Sequence, residues 1–83
     1  MIEIKFLESE NKAVVYDNKN IIGECDFVAI NNIWNIIHTE VNEEYQGQKI
    51  AKKLVEMIIK EAEKNNKQLT AECSYAKKII NKN

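Results

Sequence analysis

The sequence predicts an α+β fold: a single-layer, mostly antiparallel sheet with one main helix packed on it, in the order β-β-β-β-α-β-α. Three observations lead there. The first forty residues alternate apolar and polar side chains with period two, as half-buried strands do. After Asn42 the period changes to about four, with Ile50, Leu54, Ile58 and Ala62 on one line, as in an amphipathic helix. A short β-rich run and a capped segment follow, and the sheet is the partner that a helix stripe must find.

Each element has its own signal. Ile2, Ile4 and Phe6 alternate with polar neighbours and read as a first strand. Ala13 to Tyr16 is a second, closed by the turn-like Asp17-Asn18-Lys19-Asn20. Ile21 to Ile30 is a third, with Cys25, Phe27 and Ala29 on one face. Asn31-Asn32 then suits a two-residue hairpin, because Asn tolerates positive φ, and Ile33 to Val41 returns as the fourth. The spacing predicts a helix over 48–64, with Lys49, Lys52, Lys53, Glu56, Lys60, Glu61 and Glu63 on its polar faces and Asn65-Asn66 as its stop. Gln68 to Ala71 reads as a last strand. Ser74 reads as the N-cap of a short final helix in which Tyr75 and Ile79 lie one turn apart.

The chain has 83 residues, which fits one domain over residues 1–83. A chain this short buries only roughly 60% of its unfolded surface, so modest stability is expected. Twelve basic side chains face thirteen acidic ones for a net charge of −1, a balance that argues against a nucleic-acid partner. No apolar run reaches the length of a membrane span and the first residues lack a signal-peptide layout, so the expected location is cytoplasmic. Cys25 and Cys73 are read as free thiols. With His38 the only histidine and no ligand spacing, no metal is expected.

The segment between the fourth strand and the main helix carries the chemistry. A helix start leaves backbone N–H groups unpaired and carries partial positive charge. Gly47 in the preceding turn lets the backbone approach a ligand closely, small Ala51 keeps the first turn low, and Lys49, Lys52 and Lys53 add positive charge. A diphosphate would fit such a place. Read on its own, the same stretch is also a turn glycine beside a solvated lysine face.

Gln46-Gly47-Gln48-Lys49-Ile50-Ala51 resembles the coenzyme A loop of the GNAT acetyltransferase superfamily, Gln/Arg-x-x-Gly-x-Gly/Ala. Lys49 stands where the family usually has Gly. His38-Thr39-x-Val41, Tyr45-x-Gly47-Gln48, Ile50-Ala51-Lys52-Lys53-Leu54-Val55 and Cys73-Ser74-Tyr75 together resemble the very small GNAT-like acetyltransferases of the Cys-Gly type, which consist of the coenzyme A core alone. The resemblance implies acetyl-coenzyme A as acetyl donor, held by Thr39, Val41, Gln46, Gly47, Gln48, Lys49, Ile50 and Ala51. It also implies an active cysteine at Cys73.

Cys73 at a helix N-terminus suits a lowered thiol pKa and acetyl acceptance from a thioester; the alternative is a small buried hydrophobe. His38, near the end of the strand expected to face the thioester, is a candidate base or a hydrogen-bonded structural residue. Tyr75 is a proton donor or a packing aromatic, Trp34 a core residue or a substrate-side wall. Glu40, Glu43 and Glu44 either attract a cationic amine or serve solubility. The expected function is N-acetyl transfer to an unidentified amine; the immediate first strand implies an open acceptor site, which points to a protein amine, a partner-completed site, or a slow and unselective reaction. The rival is a coenzyme A-binding or protein-interaction module without significant turnover.

Overall fold

The computed structural model describes residues 1–82, and of Lys82 only the backbone. Strands β1 (Ile2–Leu7), β2 (Lys12–Asp17), β3 (Asn20–Ile30) and β4 (Ile33–Val41) precede helix α1 (Ile50–Lys64), strand β5 (Gln68–Ala71) and helix α2 (Ser74–Lys82). Two single-turn 3₁₀ segments, Glu8–Glu10 and Glu43–Tyr45, carry no clear sequence signal. The five strands lie in sequence order, antiparallel throughout except for β4 and β5. That parallel pair needs a crossover, and α1 supplies it.

The core lies on one face of the sheet. Ala13, Val15, Cys25, Phe27, Trp34 and Ile36 meet Ile50, Leu54, Val55, Ile58 and Ala62 of α1, and Ala76 and Ile79 of α2 close the end. Trp34 is therefore core: its ring stacks on Phe27 at 4.5 Å between centroids. Burying each large side chain contributes about 1.5–3 kcal/mol, so this one layer supplies most of the driving force. The other face carries no helix among the described residues and is mostly polar, although Val14 is buried within it. Lys12 and Glu24 pair across it at 3.9 Å, and the Lys5 ammonium sits over the Tyr16 ring.

Register on β4 decides which residues face α1. Phe27 pairs with Ile36 but Asp26 pairs with His38, so Ile37 is an extra residue in a bulge. Before the bulge Trp34 and Ile36 point to α1; after it Thr39 and Val41 do. The bulge thus turns His38 and Glu40 to the open face of the sheet, away from α1. His38 is 51% exposed there and lies 3.8 Å from the Glu40 carboxylate.

Two helix starts also differ from the sequence reading. α1 begins at Ile50, two residues later than the spacing predicts, because Lys49 takes the left-handed conformation (φ 63°, ψ 22°) and cannot continue a helix backwards. Ser74 is already helical, and the Lys77 N–H donates to the Cys73 carbonyl at 3.0 Å, so Cys73 holds the capping position expected for Ser74.

Candidate functional site: the gap between β4 and β5 and the start of α1

β5 pairs with β4 only from Ile33 to Ile36. The chain then peels away, with the N–H groups of Glu72 and Cys73 both donating to the Ile36 carbonyl at 2.8 and 3.4 Å. Past that point no strand pairs with β4 on its β5 side among the described residues. The Asn42 N–H donates to the Ile22 carbonyl; by alternation along the strand, Glu40 also points its backbone to β3. The N–H and C=O of Thr39 and of Val41 therefore point into the gap. The Val41 carbonyl accepts from the Gln46 side-chain amide at 3.4 Å.

The start of α1 faces the same gap. Lys49 makes no side-chain cap, and the first intrahelical bond runs from the Lys53 N–H to the Lys49 carbonyl at 3.1 Å. The N–H groups of Ile50, Ala51 and Lys52 thus have no helical partner and carry the positive end of the helix dipole. Gly47 (φ +87°) has no atom within 4 Å of where a Cβ would stand, so the turn is open on the solvent side. The cleft measures about 520 Å³ and is lined by Thr39, Val41, Tyr45, Gln46, Gly47, Lys49, Ile50, Ala51 and Tyr75. That is within the usual roughly 300–1,000 Å³ of small-molecule sites.

Of the residues expected to bind a cofactor, Thr39, Val41, Gln46, Gly47, Lys49, Ile50 and Ala51 converge on this cleft, whereas Gln48 does not line it. Tyr45 and Tyr75 add aromatic walls. Tyr45 is anchored by donating its hydroxyl to the Asp17 carboxylate. That bond, with a further one from the amino terminus, holds the Asp17 carboxyl below its usual range. Nothing in the local sequence joins residues 28 positions apart.

Cys73 is half-buried at the inner end of the gap, next to the cleft wall. Its thiol lies 3.7 Å from the Thr39 hydroxyl. Burial pushes the thiol's pKa up, but N–H groups at the start of α2 (Ala76 and Tyr75) and the hydroxyl and N–H of Thr39 outweigh it, so the net direction is down. Cys25 is the opposite case: burial dominates and raises its thiol to about 11, although the Thr39 hydroxyl offsets part of this. His38 is not brought to either thiol. No group of three or more His, Cys, Asp or Glu able to hold a metal is found among the described residues. No described helix is long and apolar enough to cross a membrane.

A sheet split between β4 and β5 beside an uncapped helix start defines a GNAT-type acetyltransferase fold. Residues 12–83 match the family described as GCN5-related N-acetyl-transferase, and the chain belongs to that family. A GCN5-like protein from Staphylococcus aureus is similar at 38% identity, over 96% of this chain and 78% of that one, with a TM-score of 0.74. The ribosomal-protein-S18-alanine N-acetyltransferase of Escherichia coli matches at 17% identity over 86% of this chain and 49% of that one, with a TM-score of 0.73. The PaiA N-acetyltransferase of Thermoplasma acidophilum, solved with coenzyme A, matches at 22% identity over 66% of this chain and 35% of that one, with a TM-score of 0.62. At these last two identities the likeness shows the fold. No curated protein matches the chain.

Proposed function

We propose that this chain binds acetyl-coenzyme A in the β4–β5 gap and transfers its acetyl group to an amine, either directly or through Cys73. One observation carries the reading: Thr39 and Val41, on the edge of β4 that β5 has left, and Ile50 and Ala51, whose N–H groups have no helical partner, line one cleft. The strand edge offers strand-like hydrogen bonds to the donor's amide-bearing arm. The helix start, with Lys49 and Lys52 beside it, offers charge and N–H donors to a diphosphate. PaiA, solved with coenzyme A, supports the ligand class.

On the covalent route, the Cys73 thiolate attacks the thioester carbonyl, the new S–C bond forms, and the donor's thiolate leaves and takes a proton from solvent. The neutral amine then attacks the acetyl carbon, Cys73 regains its thiolate, and the surplus amine proton goes to water. On the direct route the amine attacks the thioester itself. His38, on the open face, has no part in either.

Release of free coenzyme A across a panel of primary amines and peptides tests transfer. Acceptor-dependent release is the expected result; binding without release from any acceptor favours the binding-module reading. Intact mass after incubation with acetyl-coenzyme A tests the covalent route. An acetyl adduct is expected on the wild type and absent from Cys73→Ser, and an adduct that survives the substitution removes Cys73 as acceptor.

A further inference from the structure

Thr39 touches both thiols of the chain. Its hydroxyl lies 3.5 Å from the Cys25 sulfur, to which it donates, and 3.7 Å from the Cys73 sulfur, from which it accepts. The contact follows from register. Cys25 and Thr39 are cross-strand partners, and Glu40, one residue on, turns its backbone to β3. Cys25 and Thr39 therefore form the non-hydrogen-bonded pair, in which side chains approach most closely. Cys73 comes from the other side, where β5 has left β4. A hydroxyl is a rotor, able to donate or accept, and here it has one sulfur on either side.

We propose that Thr39 is the positioning residue for Cys73, its hydroxyl hydrogen parked on the Cys25 sulfur while Cys73 is a thiol and swung to the Cys73 sulfur once that is a thiolate. The Cys73 proton leaves to solvent; Thr39 breaks no bond and Cys25 keeps its proton. Cys25, fully buried, is held protonated by its surroundings across the physiological range. It therefore serves as a neutral parking place and not as a second nucleophile. The role adds to the proposed covalent route and gives the side chain of Thr39 a task separate from that of its backbone.

The test needs no acetyl donor, so it stands or falls apart from the transfer reading. The rate of Cys73 alkylation by iodoacetamide is followed against pH by peptide mapping in wild type, Thr39→Val, Thr39→Ser and Cys25→Ala. Thr39→Val keeps the branched shape and loses the hydroxyl. Its Cys73 should react roughly three- to tenfold more slowly near neutral pH, with the profile moved to higher pH, as loss of one hydrogen bond to a thiolate implies. Thr39→Ser should retain the wild-type profile. Cys25→Ala removes the competing acceptor and should react at least as fast as wild type. A wild-type profile in Thr39→Val, or equal slowing in Thr39→Ser, overturns the proposal. A several-fold loss in Cys25→Ala overturns it as well, and that variant covers the case in which Thr39→Val fails to fold.

Discussion

Gly23→Ala should damage stability and the cleft together, because the glycine lies where β3 supports the functional half of β4. A Cβ at this position would stand 2.7 Å from the Glu40 carbonyl oxygen, 3.0 Å from Val15 Cγ1 and 3.1 Å from Val41 Cγ2. The first neighbour is backbone, so it cannot swing aside, and the β3–β4 pairing must move. Overpacking costs about 1–3 kcal/mol, and a backbone atom at 2.7 Å places this case in the upper half of that range, about 2–3 kcal/mol. The gain from replacing a strand glycine by alanine offsets about 0.5–1 kcal/mol. The net loss is about 1–2 kcal/mol, and a domain of this size loses about 4–8 °C in Tm per kcal/mol. The melting temperature should therefore fall by about 5–15 °C in a circular-dichroism or calorimetric melt. Because the displaced atoms belong to Glu40 and Val41, amide shifts at residues 39–42 should move with it. An unchanged or raised Tm would refute the packing argument.

Gly47→Ala meets no neighbour but must hold φ +87°, so it should destabilise by about 1–2 kcal/mol, with affinity for acetyl-coenzyme A reduced at the same time; both are read from one pair of thermal shifts without and with the ligand. Asp26 has its carboxyl raised to about 6, by burial first and the neighbouring Glu24 second, and its Oδ1 is buried without a partner. An acid raised in the folded state favours folding below its unfolded value, and that benefit is lost as pH rises through the folded one. Asp26→Asn should therefore match wild type in Tm near pH 4 and exceed it by several degrees at pH 7; equal curves at both would contradict the assignment. His38→Ala should leave acetyl transfer, measured as coenzyme A release, within about twofold of wild type, because an exposed side chain on the face away from the cleft touches none of the reacting atoms and alters the barrier by well under 1 kcal/mol.

The fold was legible where periodicity is strong. The α1 stripe of Ile50, Leu54, Ile58 and Ala62 and the alternation of β1 to β4 needed no tertiary knowledge. Asn31 at positive φ was foreseeable from its type, whereas Lys49 was not, since lysine has no leaning to the left-handed region and only the tight entry to α1 puts it there. The bulge at Ile37 was also hidden, because Ile36 and Ile37 are equally apolar and the sequence does not say which is extra. That single unread residue decides that His38 lies on the face away from α1. The position of the stretch from Gln46 to Ala51, between β4 and the first turn of α1, was readable because the apolar period changes from two to about four across it. The anchoring of Tyr45 by Asp17, and the meeting of Cys25, Thr39 and Cys73, depend on register and on where β5 ends, which no local pattern records.

The central claim is that the β4–β5 gap and the start of α1 form one acetyl-coenzyme A site. Isothermal titration calorimetry of acetyl-coenzyme A into wild type and Ala51→Glu measures it most directly, since Ala51 lies in the first turn of α1 and lines the cleft. A carboxylate there fills the space and sets negative charge against a diphosphate. Saturable one-to-one binding to wild type, lost in a folded Ala51→Glu, is the predicted result. Equal binding by both proteins, or none by the wild type, would contradict it.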